Sequence, residues 1–395
     1  MVKGRMLQGA RALAEMTALC RPKVISAYPI TPQTLIVEEL SQIVADGDLD
    51  ADFINVEGEH SAASLVLGAS ATGVRVFTSS SSQGLLLMSE VVFNIAGMRL
   101  PVIMVCVNRS VSAPLNIWND QQDSVIVRDS GWIQLYGENN QEGCDLLLQA
   151  YKIGEDRRLM LPVMVCVDGY VLPHAYEVVD LPGQDEVDAF LPPFEPLYKL
   201  DVDNPMTIGA YADPDKYMET RYMLHETMNR SIPVIEEVAR DFARAFGRPS
   251  YGLFEEYRLE DASTVVVAMG SMAGTIKDVV DGLREQGEKI GVLRLICYRP
   301  FPKGAVYEAL SRAENIIVME KDISLGGSGA LATDLRSVFQ GRPASPRISG
   351  YVLGLGGRDV TTDAIGQAIG RAQRQMDDAV FIGLKEELEL EGIDA

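Results

Sequence analysis

Phe53-Ile54-Asn55-Val56-Glu57-Gly58-Glu59-His60-Ser61-Ala62-Ala63 reads as a short buried strand over residues 53–56 that stops at a carboxylate, with small residues opening a helix directly behind it. In α/β proteins ligands bind outside the carboxyl ends of strands, so an acid stranded there is a candidate site residue. Glu57 and Glu59 are two positions apart and would share a face on a continuing strand. Residue chemistry alone leaves open which of them points inward. Both also suit the start of the following helix, whose dipole favours negative charge.

The same rhythm extends in both directions. Residues 5–20 place Met6, Ala10, Leu13, Ala14 and Thr17 at helical spacing and predict an amphipathic helix. Residues 24–28 predict a strand, cut off by Pro29 and Pro32, and each proline biases its predecessor away from helical geometry. An extended loop over 28–34 and a helix over about 33–45 follow. Beyond the opening stretch come a helix over 60–71, a strand over 74–78, a serine-rich loop over 79–82, a helix over 83–97 and a strand over 102–107 that ends at Asn108-Arg109-Ser110. An irregular polar run over 112–130 separates these from strands over 132–136 and 163–167, with a helix over 141–155 between them. Strands alternating with helices imply a parallel sheet covered on both faces.

A Pro- and Asp-rich arm and a long charged helix over about 217–246 lead to a second α/β unit. Its strands are expected over 264–269, 290–295 and 315–320, with helices over 275–286, 303–312 and 361–376. The expected fold class is therefore α/β with two doubly wound open-sheet domains, residues 1–180 and 263–395, joined by a linker arm and long helix over 181–262.

The balance of 56 acids against 35 bases, a net charge of −21, argues against nucleic acid or an anionic membrane as partner, because phosphate contacts need clustered Lys and Arg. The first residues lack the apolar core of a leader, and no apolar run approaches the length of a membrane span, so a cytoplasmic protein is expected. Cys20, Cys106, Cys144, Cys166 and Cys297 form no C-x-x-C pair, and His60, His174 and His225 share no ligand spacing. No metal site is expected from this chain alone.

Arg109 ends an apolar strand, where its charge must be paired or face a ligand. Asp120 or Asp123 could pair with it, and a ligand carboxylate would suit its planar fork equally well. Thr31, held between Ile30 and Pro32, offers a hydroxyl from a stiff loop.

Together these residues resemble the α subunit of the pyruvate:ferredoxin and related 2-oxoacid:ferredoxin oxidoreductases. The resemblance rests on Ala27-Tyr28-Pro29-Ile30-Thr31-Pro32-Gln33-Thr34, Glu57-Gly58-Glu59-His60-Ser61-Ala62, Ser81-Ser82-Gln83-Gly84-Leu85, Asn108-Arg109, Trp118-Asn119-Asp120-Gln121-Gln122-Asp123 and Arg128-Asp129-Ser130-Gly131-Trp132. Leu200-Asp201-Val202-Asp203-Asn204-Pro205, Glu255-Glu256-Tyr257-Arg258 and Tyr298-Arg299-Pro300-Phe301 extend it over nearly the whole chain.

The resemblance implies a thiamine diphosphate enzyme whose first domain binds the aminopyrimidine ring and whose second is like the transketolase C-terminal domain. It implies that Glu59, not Glu57, activates that ring, that Tyr28, Pro29 and Gln83 join it around the cofactor, and that Thr31 and Arg109 contact the substrate carboxylate. The diphosphate site, Mg²⁺ and [4Fe-4S] clusters are expected on partner subunits that pass electrons to ferredoxin. The branch that oxidises oxalate to CO2 is the closest likeness, and pyruvate, converted with coenzyme A to acetyl-CoA and CO2, is the alternative. Gln121 and Ser89 depart from the histidines of the pyruvate pattern. A non-catalytic assembly subunit is the reading from a different class, and a scaffold has no need of Thr31, Glu59 and Arg109 together.

Overall fold

The computed structural model describes residues 4–385. The chain divides into two compact units, Met1–Phe254 with Ile296–Pro302, and Glu255–Leu295 with Lys303–Ala395.

The first unit is built on a seven-stranded sheet in the order Cys297–Arg299, Ile133–Tyr136, Val163–Asp168, Ile103–Asn108, Val76–Ser80, Val24–Ser26, Asp52–Ile54. All neighbours are parallel except the Cys297–Arg299 edge, which runs antiparallel to Ile133–Tyr136. The central strands Ile103–Asn108 and Val163–Asp168 are buried along their whole length, as their unbroken apolar runs require of a sheet covered on both faces. Register sets Ser80 beside Cys106 and Asn108 beside Asp168, so the loops following these strands emerge along one edge of the sheet. Helix Thr34–Ala45 buries Ile36, Val37, Leu40 and Ile43, the spacing of one helical face.

Several sequence expectations change. The strand at the opening stretch is Asp52–Ile54, an edge strand whose end residues Asp52 and Ile54 are exposed, and not a buried strand over 53–56. Glu59 lies beyond it as the first residue of helix Glu59–Ala71. Residues 5–20 are not one helix. Arg5–Gln8 pairs antiparallel with Tyr176–Val179, and helix Gly9–Leu19 begins only where Gly9 passes so close to the Leu172 carbonyl that a Cβ would lie 2.3 Å from it. The helix expected over 83–97 breaks at Met88 (φ −88°, ψ 4°) into Ser82–Leu87 and Ser89–Gly97.

The arm expected over 181–262 clusters with the first unit as far as Phe254. Its long helix, Pro214–Phe246, lies along helix Asn140–Gly154 and buries Val234, Ile235, Val238, Ala239 and Phe242.

The second unit carries a six-stranded sheet in the order Val380–Phe381, Arg347–Val352, Asn315–Glu320, Thr264–Met269, Ile290–Leu295, Phe254–Tyr257. The pairs from Val380–Phe381 to Ile290–Leu295 are parallel. Val266, Ile276, Val292, Ile317, Tyr351 and Ile369 are among the residues of its core. Helix Ala330–Phe339 and strand Arg347–Val352 are additions to the elements expected from sequence. Both units are thus open α/β sheets. Among the described residues, no helix is long and apolar enough to cross a membrane.

Candidate active site

The helix beginning at Glu59 decides which acid faces inward. Its buried positions are Glu59, Ala62, Ala63, Val66, Ser70 and Ala71, so Glu59 shares a face with the alanines that let the helix approach the sheet. Glu59 is 7% exposed, and nothing among the described residues hydrogen-bonds or ion-pairs with its carboxylate. Glu57 is outside the helix, exposed, and accepts a hydrogen bond from Ser61 Oγ at 2.5 Å, which holds its pKa below the ordinary glutamate value.

Gly84, in helix Ser82–Leu87, lies against the Glu59 carboxylate. A Cβ there would be 2.6 Å from Glu59 Oε1 and 2.6 Å from Ser80 Oγ. Both distances are prohibitive, so only glycine lets this turn close over the acid. Ser80 is fully buried and its hydroxyl has no hydrogen-bond partner. Glu59 and Ser80 thus have a carboxylate and a hydroxyl without hydrogen-bond partners among the described residues, with Gly84 lying against both. Unsatisfied buried polar groups of this kind call for a ligand or water. The chemistry of these two groups suits the aminopyrimidine of thiamine diphosphate, whose ring nitrogen and amino group can meet a carboxyl and a hydroxyl.

Arg109 is 6% exposed at the end of strand Ile103–Asn108. Its Nη1 donates to the Thr31 carbonyl at 2.9 Å and its Nε to the Asn116 carbonyl at 3.0 Å. Neither Asp120 nor Asp123 pairs with the guanidinium; from Arg109, Asp123 accepts the backbone N–H and nothing from the side chain. Burial lowers the guanidinium's pKa, opposed by the neighbouring Tyr170 and Asp123. Thr31 itself is exposed, while Gln33 two residues on is buried and donates to the Ser79 carbonyl at 3.1 Å, tying the proline loop to the strand that ends at Ser80. The structure therefore brings Thr31 and Arg109 together, and Gln83 to the turn that touches Glu59. Tyr28 is 38% exposed and Pro29 is also exposed on the same loop as Thr31.

Gln121 does not face this opening as a spare donor. Its amide is buried and donates to Asp168 Oδ1 at 3.0 Å. Tyr170, at φ +59°, stacks on His174 at a centroid distance of 4.8 Å and meets Trp118 at a tilt of 42° and 4.5 Å. Tyr170 carries no mark in the sequence and Ser80 stands there only within the serine-rich loop over 79–82. Gly84 stands there only within Ser81-Ser82-Gln83-Gly84-Leu85, and Asp123 only at the end of Trp118-Asn119-Asp120-Gln121-Gln122-Asp123 and as a possible ion-pair partner of Arg109. Only Gly84 carries a local signal, a glycine inside a helical run directly after a strand.

Residues 15–240 match the family described as "Pyruvate flavodoxin/ferredoxin oxidoreductase, thiamine diP-bdg", and residues 262–365 match "Pyruvate:ferredoxin oxidoreductase core domain II". The pyruvate synthase subunit PorA of Methanothermobacter thermautotrophicus is 48% identical over 98% of this chain and 99% of its own. The ketoisovalerate oxidoreductase subunit VorA of Pyrococcus abyssi is 42% identical over 91% of each chain. Among solved structures, the 2-oxoglutarate:ferredoxin oxidoreductase from Magnetococcus marinus superposes with a TM-score of 0.69 at 20% identity, covering 94% of this chain and 65% of that longer one, a likeness of fold. The chain belongs to the thiamine diphosphate-dependent 2-oxoacid:ferredoxin oxidoreductases, as an α-type subunit.

Proposed function

We propose that this chain supplies the cofactor-activating acid and the substrate-carboxylate site of a pyruvate:ferredoxin oxidoreductase. The observation that carries the reading is the pairing of two uncompensated charges at one sheet edge, the Glu59 carboxylate and the Arg109 guanidinium, neither of which has an ion-pair partner among the described residues. Each is costly to bury alone, and each matches one component of the reaction.

When bound, thiamine diphosphate supplies a nucleophilic carbon and an electron sink for decarboxylation. Glu59 is the group of this chain that would share a proton with a ring nitrogen of its aminopyrimidine, with Ser80 and Gly84 shaping the space beside it. Gln83, Tyr28 and Pro29 complete the cofactor's surroundings. Arg109, prevented by the Thr31 and Asn116 carbonyls from swinging away, would receive the substrate carboxylate, and the Thr31 hydroxyl would add a second donor. Mg²⁺, the diphosphate site and the [4Fe-4S] clusters would reside on partner subunits, with ferredoxin as acceptor and coenzyme A as the acyl acceptor.

The preference for oxalate expected from the sequence is not supported by the comparisons, and pyruvate fits them better. There is a physical reason as well. A dianion without a methyl group needs an additional donor where the pyruvate pocket is apolar, and Gln121, one of the two departures from the pyruvate pattern, commits a side-chain N–H to Asp168 Oδ1 at 3.0 Å. Turnover of pyruvate, 2-ketoisovalerate, 2-oxoglutarate and oxalate by the complex assembled with its partner subunits tests the reading. Pyruvate turnover that requires thiamine diphosphate and coenzyme A is expected; oxalate turnover without coenzyme A would restore the other branch.

A further inference from the structure

Asp123 is fully buried, and its carboxylate accepts four N–H hydrogen bonds, with the Cys106 thiol 3.8 Å from Oδ2 as a further, weaker donor. Oδ2 takes the backbone N–H of Ser82 at 2.8 Å and the backbone N–H of Arg109 at 2.9 Å. Oδ1 takes the Asn108 side-chain amide at 2.7 Å and the Ser124 N–H at 2.7 Å. The Ser124 bond is local to the short helix Gln122–Ile126 and would explain an ordinary helix-start acid. The other three are not local: they reach the turn after strand Val76–Ser80, and the last residue of the neighbouring strand Ile103–Asn108 with the turn that follows it.

Those turns carry the two halves of the site. Ser82 opens the helix that brings Gly84 against Glu59, and it does so at φ +49°, a left-handed conformation that a side-chain-bearing residue adopts only when held there. Beyond a local bond from its hydroxyl to Gln83 Oε1, two contacts from other segments hold it: the N–H on Asp123 and the hydroxyl on the Ser110 carbonyl. Arg109 carries the guanidinium. One oxygen atom thus fixes the backbone on both sides.

We propose that Asp123 is a positioning residue that locks the Glu59 side and the Arg109 side of the site into one register, fixing the substrate carboxylate relative to the cofactor ring. This rests on the function proposed above. No neutral side chain of similar size accepts from that many donors, because an amide offers one oxygen and presents N–H groups to the rest. The environment shows the tension of keeping an anion there. Burial pushes the Asp123 carboxyl up to about 6, opposed by the donors of Ser82, Asn108 and Arg109, with Asp120 adding to the rise.

The test is a double-mutant cycle on the assembled complex with Asp123→Asn, Arg109→Gln and both together, reading KM and kcat for pyruvate and, without turnover, the affinity for thiamine diphosphate by titration. Asp123→Asn is expected to raise KM about tenfold and to weaken cofactor affinity several-fold. In the Arg109→Gln background its effect on KM should shrink to about twofold or less, because it acts through the same group. Unchanged KM and cofactor affinity with only a lowered Tm would overturn the proposal, as would KM effects that multiply in full. Should the Asn variant not assemble, Asp123→Ser, which leaves room for a water among the donors, is read by the same measures. If Arg109→Gln itself leaves KM unchanged, the substrate-site reading of Arg109 fails and this proposal with it; a normal Arg109→Gln effect beside a silent Asp123 variant overturns the positioning role alone.

Discussion

Arg109 Nη1 and the Thr31 carbonyl oxygen lie 2.9 Å apart, so the proline loop after one strand anchors the guanidinium at the end of another. The anchor is a neutral backbone atom, which leaves the charge of the guanidinium available to a carboxylate. Arg109→Lys should keep a positive charge but lose the planar fork and the Thr31 contact. An increase in KM for the 2-oxoacid of about 10- to 100-fold, equivalent to about 1.5–3 kcal/mol for hydrogen bonds to a charged group, is expected from steady-state kinetics of the complex. A KM within twofold of the parent would contradict the assignment.

Glu59 and Glu57 should separate sharply under the same substitution. Glu59→Gln removes the acid that has no partner of its own, and a loss in kcat on the order of a thousandfold is expected, within the usual range for a positioned acid or base. Thiamine diphosphate should still bind, as titration would register. Glu57→Gln should leave kcat near the parent value, since this side chain is exposed and engaged with Ser61.

Gly84→Ala tests the approach of this glycine to the acid. The added methyl would sit 2.6 Å from both Glu59 Oε1 and Ser80 Oγ, so either the acid or the turn must move. Overpacking of this kind costs about 1–3 kcal/mol, and the expected readout is a lower Tm together with weakened thiamine diphosphate binding. Binding of normal strength would show that the glycine is not needed for the cofactor.

Glu320, in the second unit, predicts a pH dependence. Its carboxylate accepts from Leu331 N–H at 2.8 Å and Ala332 N–H at 3.3 Å, at the start of helix Ala330–Phe339. Burial, with Asp322 adding to it, pushes the group up to about 8 from an ordinary value of 4.5. A folded-state pKa raised in this way contributes stability that is fully present below the unfolded value and is lost as pH rises to about 8. Denaturation of the protein at a series of pH values should show this slope between about pH 4.5 and 8. Glu320→Gln should flatten that slope, and an unaltered profile in the variant would assign it elsewhere.

Much of this was legible in the residues because the determining signals are local. The strands Thr264–Met269, Ile290–Leu295 and Asn315–Glu320 are mostly apolar, broken inside only by Gly291 and Arg294, as a buried parallel sheet demands. Strand Arg347–Val352 escaped because Ser349-Gly350 interrupts its apolar pattern, and helix Ala330–Phe339 because it begins inside a glycine-rich loop. The strand character of Arg5–Gln8 depends on Tyr176–Val179, a pairing far away in the chain that no local pattern encodes. The choice between Glu57 and Glu59 was available in principle: Glu59, Ala62, Ala63 and Val66 follow helical phase, whereas Glu57 falls outside it. Asp123 had no such signature. Its importance comes from which backbones surround it, and only the packed chain supplies those.

The return of Ile296–Pro302 to the first unit also dictates how this protein can be cut. A fragment ending at Phe254 keeps the site residues but strips the sheet of its Cys297–Arg299 edge, baring the backbone of Ile133–Tyr136, whose side chains are buried and apolar apart from Gln134. Such an edge is a template for pairing with another chain. The fragment should therefore self-associate on expression, whereas one that splices Ile296–Pro302 back through a short linker should remain dispersed. For anyone dissecting the protein, the first unit is not one continuous stretch of chain and has to be cut out in two pieces.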